Sequence, residues 1–309
     1  MSARHYLSVL DLSRDETLAV LDRVAQLKQH WKATQQLEPL VSGWTLATIY
    51  EKPSLRTRVT FESGMAQLGG TTVHLGPADI QLGARESVAD VARNLSRWVQ
   101  IIMARTFAHS TVQELATNSS VPVINGLSDV EHPCQALADV LTFREHVGSY
   151  SGKLAYIGDG NNVAHSLLLM CGLLGIDIAV AAPDGYGPSP EIVGEAQRIA
   201  TQSGASIEVV TDPIAAVQGA DAIYTDVWTS MGQEAEVGTR TPIFQPYRVT
   251  SDLIAASGKP DTIFMHCLPA HRGEEVSADV IDGPRSVVFD QAENRLHAQK
   301  GLIVWLLGK

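Results

Sequence analysis

The sequence contains few cysteines, and those it has stand far apart. Cys134, Cys171 and Cys267 are the three cysteines of the 309-residue chain. No two of them have the close spacing of zinc ligands, and three scattered thiols do not make a disulfide framework. We therefore expect a reducing, cytoplasmic compartment and no metal site.

Long apolar runs and targeting segments are also missing. No stretch approaches the ~20 apolar residues that a membrane-spanning helix requires. Residues 1–12 have neither the apolar core of a signal peptide nor the Arg- and Ser-rich character of a transit peptide. With 45% hydrophobic and 18% charged residues, the composition is typical of a soluble globular protein. These features predict neither a membrane role nor disorder.

Basic residues are outnumbered by acidic ones. The chain has 23 Lys and Arg against 34 Asp and Glu, which gives a formal net charge of −11. Proteins that bind nucleic acids usually carry a basic face, so nucleic acid is not an expected partner. If the ligand is an anion, local arginines have to bind it.

Short β-branched runs alternate with helical patterns along the whole chain, which is typical of parallel α/β units. The pattern predicts strands at the following positions: 45–50, 99–104, 154–157, 178–181, 207–210, 222–226 and 263–266. A chain of 309 residues is long enough for two cores. We expect an α/β protein with two doubly wound parallel-sheet lobes and an active site in the cleft between them.

The predicted boundary between the lobes lies at the end of a helix that Pro133 opens and Gly148 ends. The first domain then comprises residues 1–147 and the second comprises residues 148–290. The closing segment, 291–309, has a helical pattern and is expected to cross back and complete the first domain.

Residues 51–58 follow the first predicted strand and open a helix. A helix N-terminus offers unpaired backbone N–H groups, and Ser54, Arg56 and Thr57 add two hydroxyls and a guanidinium. This chemistry suits a phosphate group. The alternative is an ordinary capped helix with solvated arginines.

Three further polar residues stand at the ends of later units of the first lobe. Arg105 follows its strand, while His132 and Gln135 flank the start of the Pro133 helix. Together they could bring a cation, an imidazole donor and an amide to the same crevice. Each of them alone also fits an ion pair, a turn residue or a polar helix face.

In the second lobe, residues 158–162 follow a strand and have the sequence Gly-Asp-Gly-Asn-Asn. This segment is not a dinucleotide fingerprint, because Val163 occupies the place of the third glycine. A nicotinamide-dependent dehydrogenase is therefore a poor alternative. Asn162 is predicted either to cap the following helix or to bind a small polar ligand.

Two later strands of the second lobe also end in polar residues. Asp226 and Ser230 could meet a cationic amino-acid head, or they could belong to an ordinary strand end and loop. Cys267 follows another strand, where a cysteine is more often packing than a reactive group.

Taken together, these segments resemble the aspartate/ornithine carbamoyltransferase family over essentially the whole chain. Residues 54–58 resemble its Ser-Thr-Arg-Thr-Arg phosphate motif, with Leu55 in place of the usual hydroxyl residue. Residues 132–135 resemble its His-Pro-x-Gln motif, and residues 266–269 resemble the His-Cys-Leu-Pro of the ornithine-type members. Residues 230–232, Ser-Met-Gly, resemble the ornithine-binding loop, which aspartate-type members lack.

The resemblance implies transfer of the carbamoyl group from carbamoyl phosphate to the δ-amine of L-ornithine, in arginine biosynthesis and without a cofactor. The residues that it implies for carbamoyl phosphate are Ser54, Leu55, Arg56, Thr57, Gln81, Arg105, His132, Gln135, Cys267, Leu268 and Arg295. Those that it implies for ornithine are Asn162, Asp226, Ser230 and Met231. Its catalytic set would be Arg105, His132, Cys267 and Asp226. Gln81 resembles a residue lent by a neighbouring subunit, which implies a homotrimer.

Two alternatives remain beside the dehydrogenase. One is a carbamoyltransferase for another amine, such as putrescine, aspartate or acetylornithine, which the motifs at 230–232 and 266–269 disfavour. The other is a noncatalytic anion-binding module, which would form no citrulline from the two substrates.

Overall fold

The computed structural model describes residues 3–229 and 234–309. The chain forms two compact units, Met1–Ala138 with Glu293–Lys309 and Asp139–Ala292. Each unit holds a parallel sheet with flanking helices. The predicted α/β class, with two parallel-sheet lobes, is confirmed.

The first unit has a sheet with the strand order β2-β1-β3-β4, parallel throughout. Its strands are β1 (Thr45–Tyr50), β2 (Thr71–Leu75), β3 (Ile101–Arg105) and β4 (Val123–Leu127). Its helices are α1 (Arg14–Thr34), α2 (Arg56–Gln67), α3 (Pro77–Ile80), α4 (Val88–Trp98), α5 (His109–Asn118), the start of α6 (Pro133–Val147) and most of α13 (Val288–Leu306). Every residue of β3 is buried, as expected for a strand covered on both faces.

The second unit has a parallel sheet with the order β7-β6-β5-β8-β9. Its strands are β5 (Lys153–Ile157), β6 (Asp177–Ala181), β7 (Ile207–Val210), β8 (Ala222–Thr225) and β9 (Ile263–His266). Its own helices are α7 (Asn162–Leu174), α8 (Pro190–Ser203), α9 (Pro213–Val217), α10 (Val237–Phe244), α11 (Ser251–Ala255) and α12 (Ala278–Ile281). Helix α7 is itself apolar and buried on nearly all sides, which is the pattern of a helix inside the core.

Several helix starts are determined by local sequence. The Ser87 hydroxyl accepts a hydrogen bond from the Asp90 N–H at the start of α4, as serine caps commonly do. Pro133 is the first residue of α6, as predicted, because a missing N–H costs nothing there.

Other elements depart from the sequence predictions. Two strands lack a clear sequence pattern and were not predicted: β2 is partly exposed, and Asn125 and Gly126 weaken the strand pattern of β4. Helix α13 begins at Val288, ahead of the predicted residue 291. The side chain of Phe289 is 73% exposed and that of Gln291 is buried, so the first turn runs against the amphipathic pattern.

Within each unit, the sheet places several polar loops at one of its edges. In the first unit, the last residue of β1, Tyr50, pairs with Arg105 at the end of β3. In the second unit, Ile157, Thr225 and His266 are in register at the ends of β5, β8 and β9. The loops that follow these strands therefore start at one edge of each sheet. No helix in the described ranges, 3–229 and 234–309, is both long and apolar enough to cross a membrane.

Candidate active site

In the first unit, the buried hydroxyl of Thr57 lies between two arginines. Its Oγ1 accepts hydrogen bonds from Arg105 Nη1 at 3.3 Å and from Arg295 Nη2 at 2.7 Å. The three residues come from α2, β3 and α13 and are at most 7% exposed. The structure thus brings together three of the residues predicted for carbamoyl phosphate.

His132 lies beside these positive charges. Burial lowers the pKa of His132 well below its usual range, and the positive charges of Arg295, Arg105 and Arg56 lower it further. The imidazole is therefore neutral at neutral pH, with one N–H donor. Such a donor can polarise a carbonyl oxygen without adding a full charge. Gln135, three residues along in α6, is also buried.

The N-terminus of α2 differs from a normally capped helix. Leu55 occupies the N-cap and makes no side-chain capping bond in the described part of the chain, and its side chain is 73% exposed. The alternative interpretation of a side-chain-capped helix is therefore wrong. An anion can take the place of such a cap.

Two residues predicted for carbamoyl phosphate are not connected to this group. Gln81 is an exposed residue at the end of α3, with a left-handed backbone at φ 45°. Ser54 is half-buried before α2. Among the described residues, no hydrogen bond or ion pair joins either of them to Thr57, Arg105 or Arg295.

In the second unit, three donors hold the carboxylate of Asp226. Cys267 Sγ donates to Asp226 Oδ1 at 3.0 Å, and the Val227 N–H donates to the same oxygen at 2.8 Å. Asn161 Nδ2 donates to Oδ2 at 2.9 Å. The loops after β5, β8 and β9 thus converge on one buried carboxylate. Of the residues predicted for the second lobe, Asp226 and Cys267 are brought together.

Asn161, and not Asn162, caps α7. The Asn161 side-chain oxygen accepts hydrogen bonds from the N–H groups of Val163 at 2.9 Å and Ala164 at 3.2 Å. The prediction that Asn162 is a cap is wrong, because Asn162 is already the first residue of the helix. The Asn-Asn pair before an apolar run was the signal that could have identified Asn161. A ligand-binding role for Asn162, which is half-buried, stays a prediction.

A buried His-Glu pair lies beneath the Cys267–Leu268 loop. The Leu268 N–H donates to His266 Nδ1 at 2.9 Å, and His266 Nε2 lies 3.1 Å from Glu275 Oε1. Leu268 itself has a left-handed backbone, with φ 57°, which is uncommon for a leucine. Sequence reasoning did not single out Glu275.

Ser230 and Met231, predicted for ornithine, lie outside the described residues.

Arg240 is a second residue that sequence reasoning missed. Its Nη2 lies 2.6 Å from Asp159 Oδ1 and its Nε donates to the Trp228 carbonyl at 2.6 Å, while its guanidinium packs over the Tyr186 ring. Burial raises the pKa of Asp159 to about 6, although Arg240 opposes the rise. The contacts of Arg240 fix the loops after β5 and β8 to α10.

Asp226, His266 and Cys267 have donor atoms within 4.8 Å of one another, as a divalent cation would require. In the structure each of these donors already has a protein partner: Cys267 bonds Asp226, and His266 bonds Leu268 and Glu275. A bound metal would have to replace those bonds. The metal-free site therefore stays a prediction.

Comparison with known proteins identifies the family. Residues 4–145 match the carbamoyl-P binding domain of aspartate/ornithine carbamoyltransferase, and residues 151–306 match its Asp/Orn binding domain. The chain is 53% identical to the ornithine carbamoyltransferase of Methanothermobacter thermautotrophicus over 99% of both chains. It is 51% identical to a Pyrococcus furiosus protein named as the anabolic ornithine carbamoyltransferase, over 100% of this chain and 98% of the relative.

A solved structure supports the same assignment. The ornithine carbamoyltransferase from Pyrococcus furiosus has a TM-score of 0.96 at 51% identity and covers 99% of this chain and 98% of its own. The resemblance seen in the motifs is confirmed, and the chain belongs to the aspartate/ornithine carbamoyltransferase family.

Proposed function

We propose that the protein transfers the carbamoyl group of carbamoyl phosphate to the δ-amine of L-ornithine, giving L-citrulline and phosphate, in arginine biosynthesis. The observation that carries this proposal is that a chain of this family contains two polar clusters, one in each unit. The cluster around Thr57 suits an acyl phosphate, and the one around Asp226 suits the ammonium group of an amino acid. The relatives are named ornithine carbamoyltransferases, one of them anabolic.

We propose that the first unit binds carbamoyl phosphate. The start of α2, where Leu55 supplies no side-chain cap, faces the phosphate. Ser54, just before the helix, and Arg56, its first residue, bind the same group. Arg105, Thr57 and His132 direct donors at the carbamoyl oxygen, and Arg295, bonded to the same Thr57 oxygen, keeps that hydroxyl in place. Gln135 and the backbone of residues 267–268 hold the carbamoyl amine.

The second unit, in this proposal, binds ornithine. Asp226 is a buried carboxylate whose oxygens are oriented by Asn161 and Cys267, and it anchors the α-ammonium group. Asn162, Ser230 and Met231 complete the amino-acid site. The functional domains are then residues 1–147 completed by 291–309, and residues 148–290.

The chemistry requires an uncharged amine. A primary amine with a pKa near 10.4 is ~3 units from balance at neutral pH, so presenting it uncharged costs about 4 kcal/mol. The amine nitrogen attacks the carbamoyl carbon, the C–O bond to phosphate breaks, and the proton lost from nitrogen leaves with the phosphate. Preorganised donors to the oxyanion typically contribute ~3–4 kcal/mol each, so Arg105, His132 and Thr57 matter most to this step.

We propose that the active form is a homotrimer in a reducing cytoplasm. The family resemblance supports the trimer, since Gln81 corresponds to a residue that acts in the site of a neighbouring subunit. Its exposed position in the isolated chain is compatible with that role. The three cysteines are thiols and not disulfides, which supports the reducing compartment.

A citrulline assay tests the proposed function. Purified protein is supplied with carbamoyl phosphate and, in parallel, ornithine, putrescine, aspartate or acetylornithine. We expect product with ornithine at a catalytic efficiency at least a hundredfold above the other amines, on the order of 3 kcal/mol of discrimination. If putrescine were used preferentially, putrescine and not ornithine would be the substrate. If no amine gave a product, the proposal would be contradicted.

A further inference from the structure

We infer that Glu275 is a positioning residue for carbamoyl transfer, which acts through His266 to direct the main-chain carbonyl of Cys267. This inference rests on the proposed function, in which that carbonyl accepts a hydrogen bond from the carbamoyl amine. Glu275 itself touches neither substrate in the proposal. Its effect passes through two hydrogen bonds.

The pair is buried and well connected. The side chains of His266 and Glu275 are both 0% exposed, and His266 Nε2 lies 3.1 Å from Glu275 Oε1. The same oxygen accepts a hydrogen bond from the His271 N–H at 2.6 Å. The second oxygen, Oε2, lies 3.8 Å from His271 Nδ1. A carboxylate buried this completely is costly unless it is hydrogen-bonded, so its bonds to the imidazole and the loop hold it in place.

The hydrogen bonds determine which ring nitrogen carries the proton. The Leu268 N–H donates to His266 Nδ1 at 2.9 Å, so Nδ1 must present a lone pair. The proton then sits on Nε2, and Nε2–H donates a hydrogen bond to Glu275 Oε1. An ionised carboxylate can only accept hydrogen bonds, so it favours this tautomer over the reverse one. In the reverse tautomer, Nδ1–H would face the Leu268 N–H.

The direction of the Leu268 N–H determines the direction of the Cys267 carbonyl. The peptide bond between them is planar and trans, and in a trans peptide the N–H and C=O groups point in opposite directions. With the N–H held on the His266 ring, the carbonyl points away from that ring. Leu268 has a φ of 57°, which an L-residue rarely adopts without support, and the imidazole supplies that support.

The rest of His266 is fixed independently of its ring. The His266 N–H donates to Gln291 Oε1 at 2.9 Å, and Gln291 Nε2 donates to Asp139 Oδ1 at 2.7 Å. The backbone therefore stays anchored if Glu275 is removed. What changes is the orientation and the tautomer of the ring, and with them the loop carbonyl.

The test compares Glu275→Ala with Glu275→Gln by steady-state kinetics and by competitive inhibition with inorganic phosphate. We expect Glu275→Ala to raise the KM for carbamoyl phosphate about tenfold, because the carbonyl loses its direction. The inhibition constant of phosphate, which lacks a carbamoyl amine, and the KM for ornithine should stay within twofold. Glu275→Gln keeps an acceptor oxygen for the ring and should stay within threefold of the wild type.

Glu274→Gln is the matched control, since Glu274 is adjacent, has a half-exposed side chain and bonds neither His266 nor the loop carbonyl. It should change none of the constants. Two results for a folded Glu275→Ala protein would overturn the inference: an unchanged KM for carbamoyl phosphate, or equal changes in all three constants, as general damage produces.

A second pair of variants decides the matter if Glu275→Ala does not fold. In His266→Asn, the amide oxygen can lie near the position of Nδ1 and accept the Leu268 N–H, whereas His266→Leu offers no acceptor. We expect the asparagine variant to bind carbamoyl phosphate at least fivefold more tightly than the leucine variant. Equal affinities would refute the role of the acceptor. A wild-type protein that forms no citrulline would instead contradict the proposed function itself.

Discussion

The Thr57 hydroxyl bridges two guanidinium groups that are both buried and carry the same charge. Its oxygen accepts from both Arg105 and Arg295. A hydrogen bond to a charged group contributes about 1.5–3 kcal/mol, more than a neutral one. One small side chain thus holds a hydrogen bond to each of two cations.

We expect Thr57→Val, which keeps the shape and removes the acceptor, to lower kcat/KM for carbamoyl phosphate about a hundredfold. That change corresponds to ~2.7 kcal/mol, within the range of one or two such bonds. Thr57→Ser retains the oxygen and should recover activity to within fivefold of the wild type. Steady-state kinetics at varied carbamoyl phosphate checks both. A Thr57→Val enzyme of normal efficiency would show that the bridge has no functional role.

Residue patterns alone could not predict this bridge. Thr57, Arg105 and Arg295 come from three distant parts of the chain, and only the family resemblance connects them. Glu275 and Arg240 were missed for another reason. A buried carboxylate and a buried guanidinium look in the sequence like charges on an exposed loop or helix, and only the fold reveals their partners.

At the scale of single elements, the ends of helices determine the position of the second cluster. The α7 cap, Asn161, also donates to Asp226, so the residue that starts the helix also orients the carboxylate. Asn162 is the next residue and belongs to the helix. This adjacency allows the structural role and the binding role to be separated.

We predict that Asn161→Ala lowers the free energy of unfolding by about 1 kcal/mol through loss of the cap. It should also raise the KM for ornithine, because Asp226 loses a donor. Asn162→Ala should leave stability within about 0.5 kcal/mol and raise only the KM for ornithine. Urea unfolding and ornithine kinetics on both variants check this. Greater destabilisation by Asn162→Ala would contradict the assignment of the cap.

The element predictions succeeded where sequence and burial agree. Strands such as β3 and β5 are continuous apolar runs and were predicted within about two residues. Strand β2 lies at a sheet edge and is partly exposed, so its composition carries less information. The first turn of α13 was missed because an exposed phenylalanine and a buried glutamine reverse the usual pattern there.

On the scale of the whole molecule, two buried histidines of the first unit link stability to pH. Burial lowers the pKa of His297 to about 4, with a further contribution from the positive charge of Lys300, and burial lowers that of His132 as well. The unfolded chain, with a histidine pKa near 6.5, binds protons more readily than the folded protein below that pH. The stabilisation is therefore fully present above pH 6.5 and is lost as the pH falls from 6.5 toward 4.

We expect the free energy of urea unfolding to fall between pH 7 and pH 5, and His297→Asn to reduce that fall by about 1–2 kcal/mol. His30→Asn is the control, because it removes an exposed histidine and leaves the buried ones in place. The two variants and the wild type are compared at both pH values. If the two variants respond to pH alike, burial of His297 is not the source of the effect.

The two-lobed architecture could be predicted because alternating strands and helices encode parallel sheets wherever they occur. The return of the last helix to the first unit was also expected from its position and pattern. Residues 293–309 do belong to the first unit. There, Lys28 Nζ donates to Asn294 Oδ1 at 2.7 Å, although the two residues are 266 positions apart in the sequence.

This return has a consequence for synthesis. A ribosome that has reached residue 292 has delivered all four strands of the first sheet and Arg105, but it has not yet delivered Arg295. The nascent protein therefore lacks one of the two guanidinium groups on Thr57 until its final segment emerges. A translation product truncated there would contain the four strands of the first sheet and still lack the complete anion cluster.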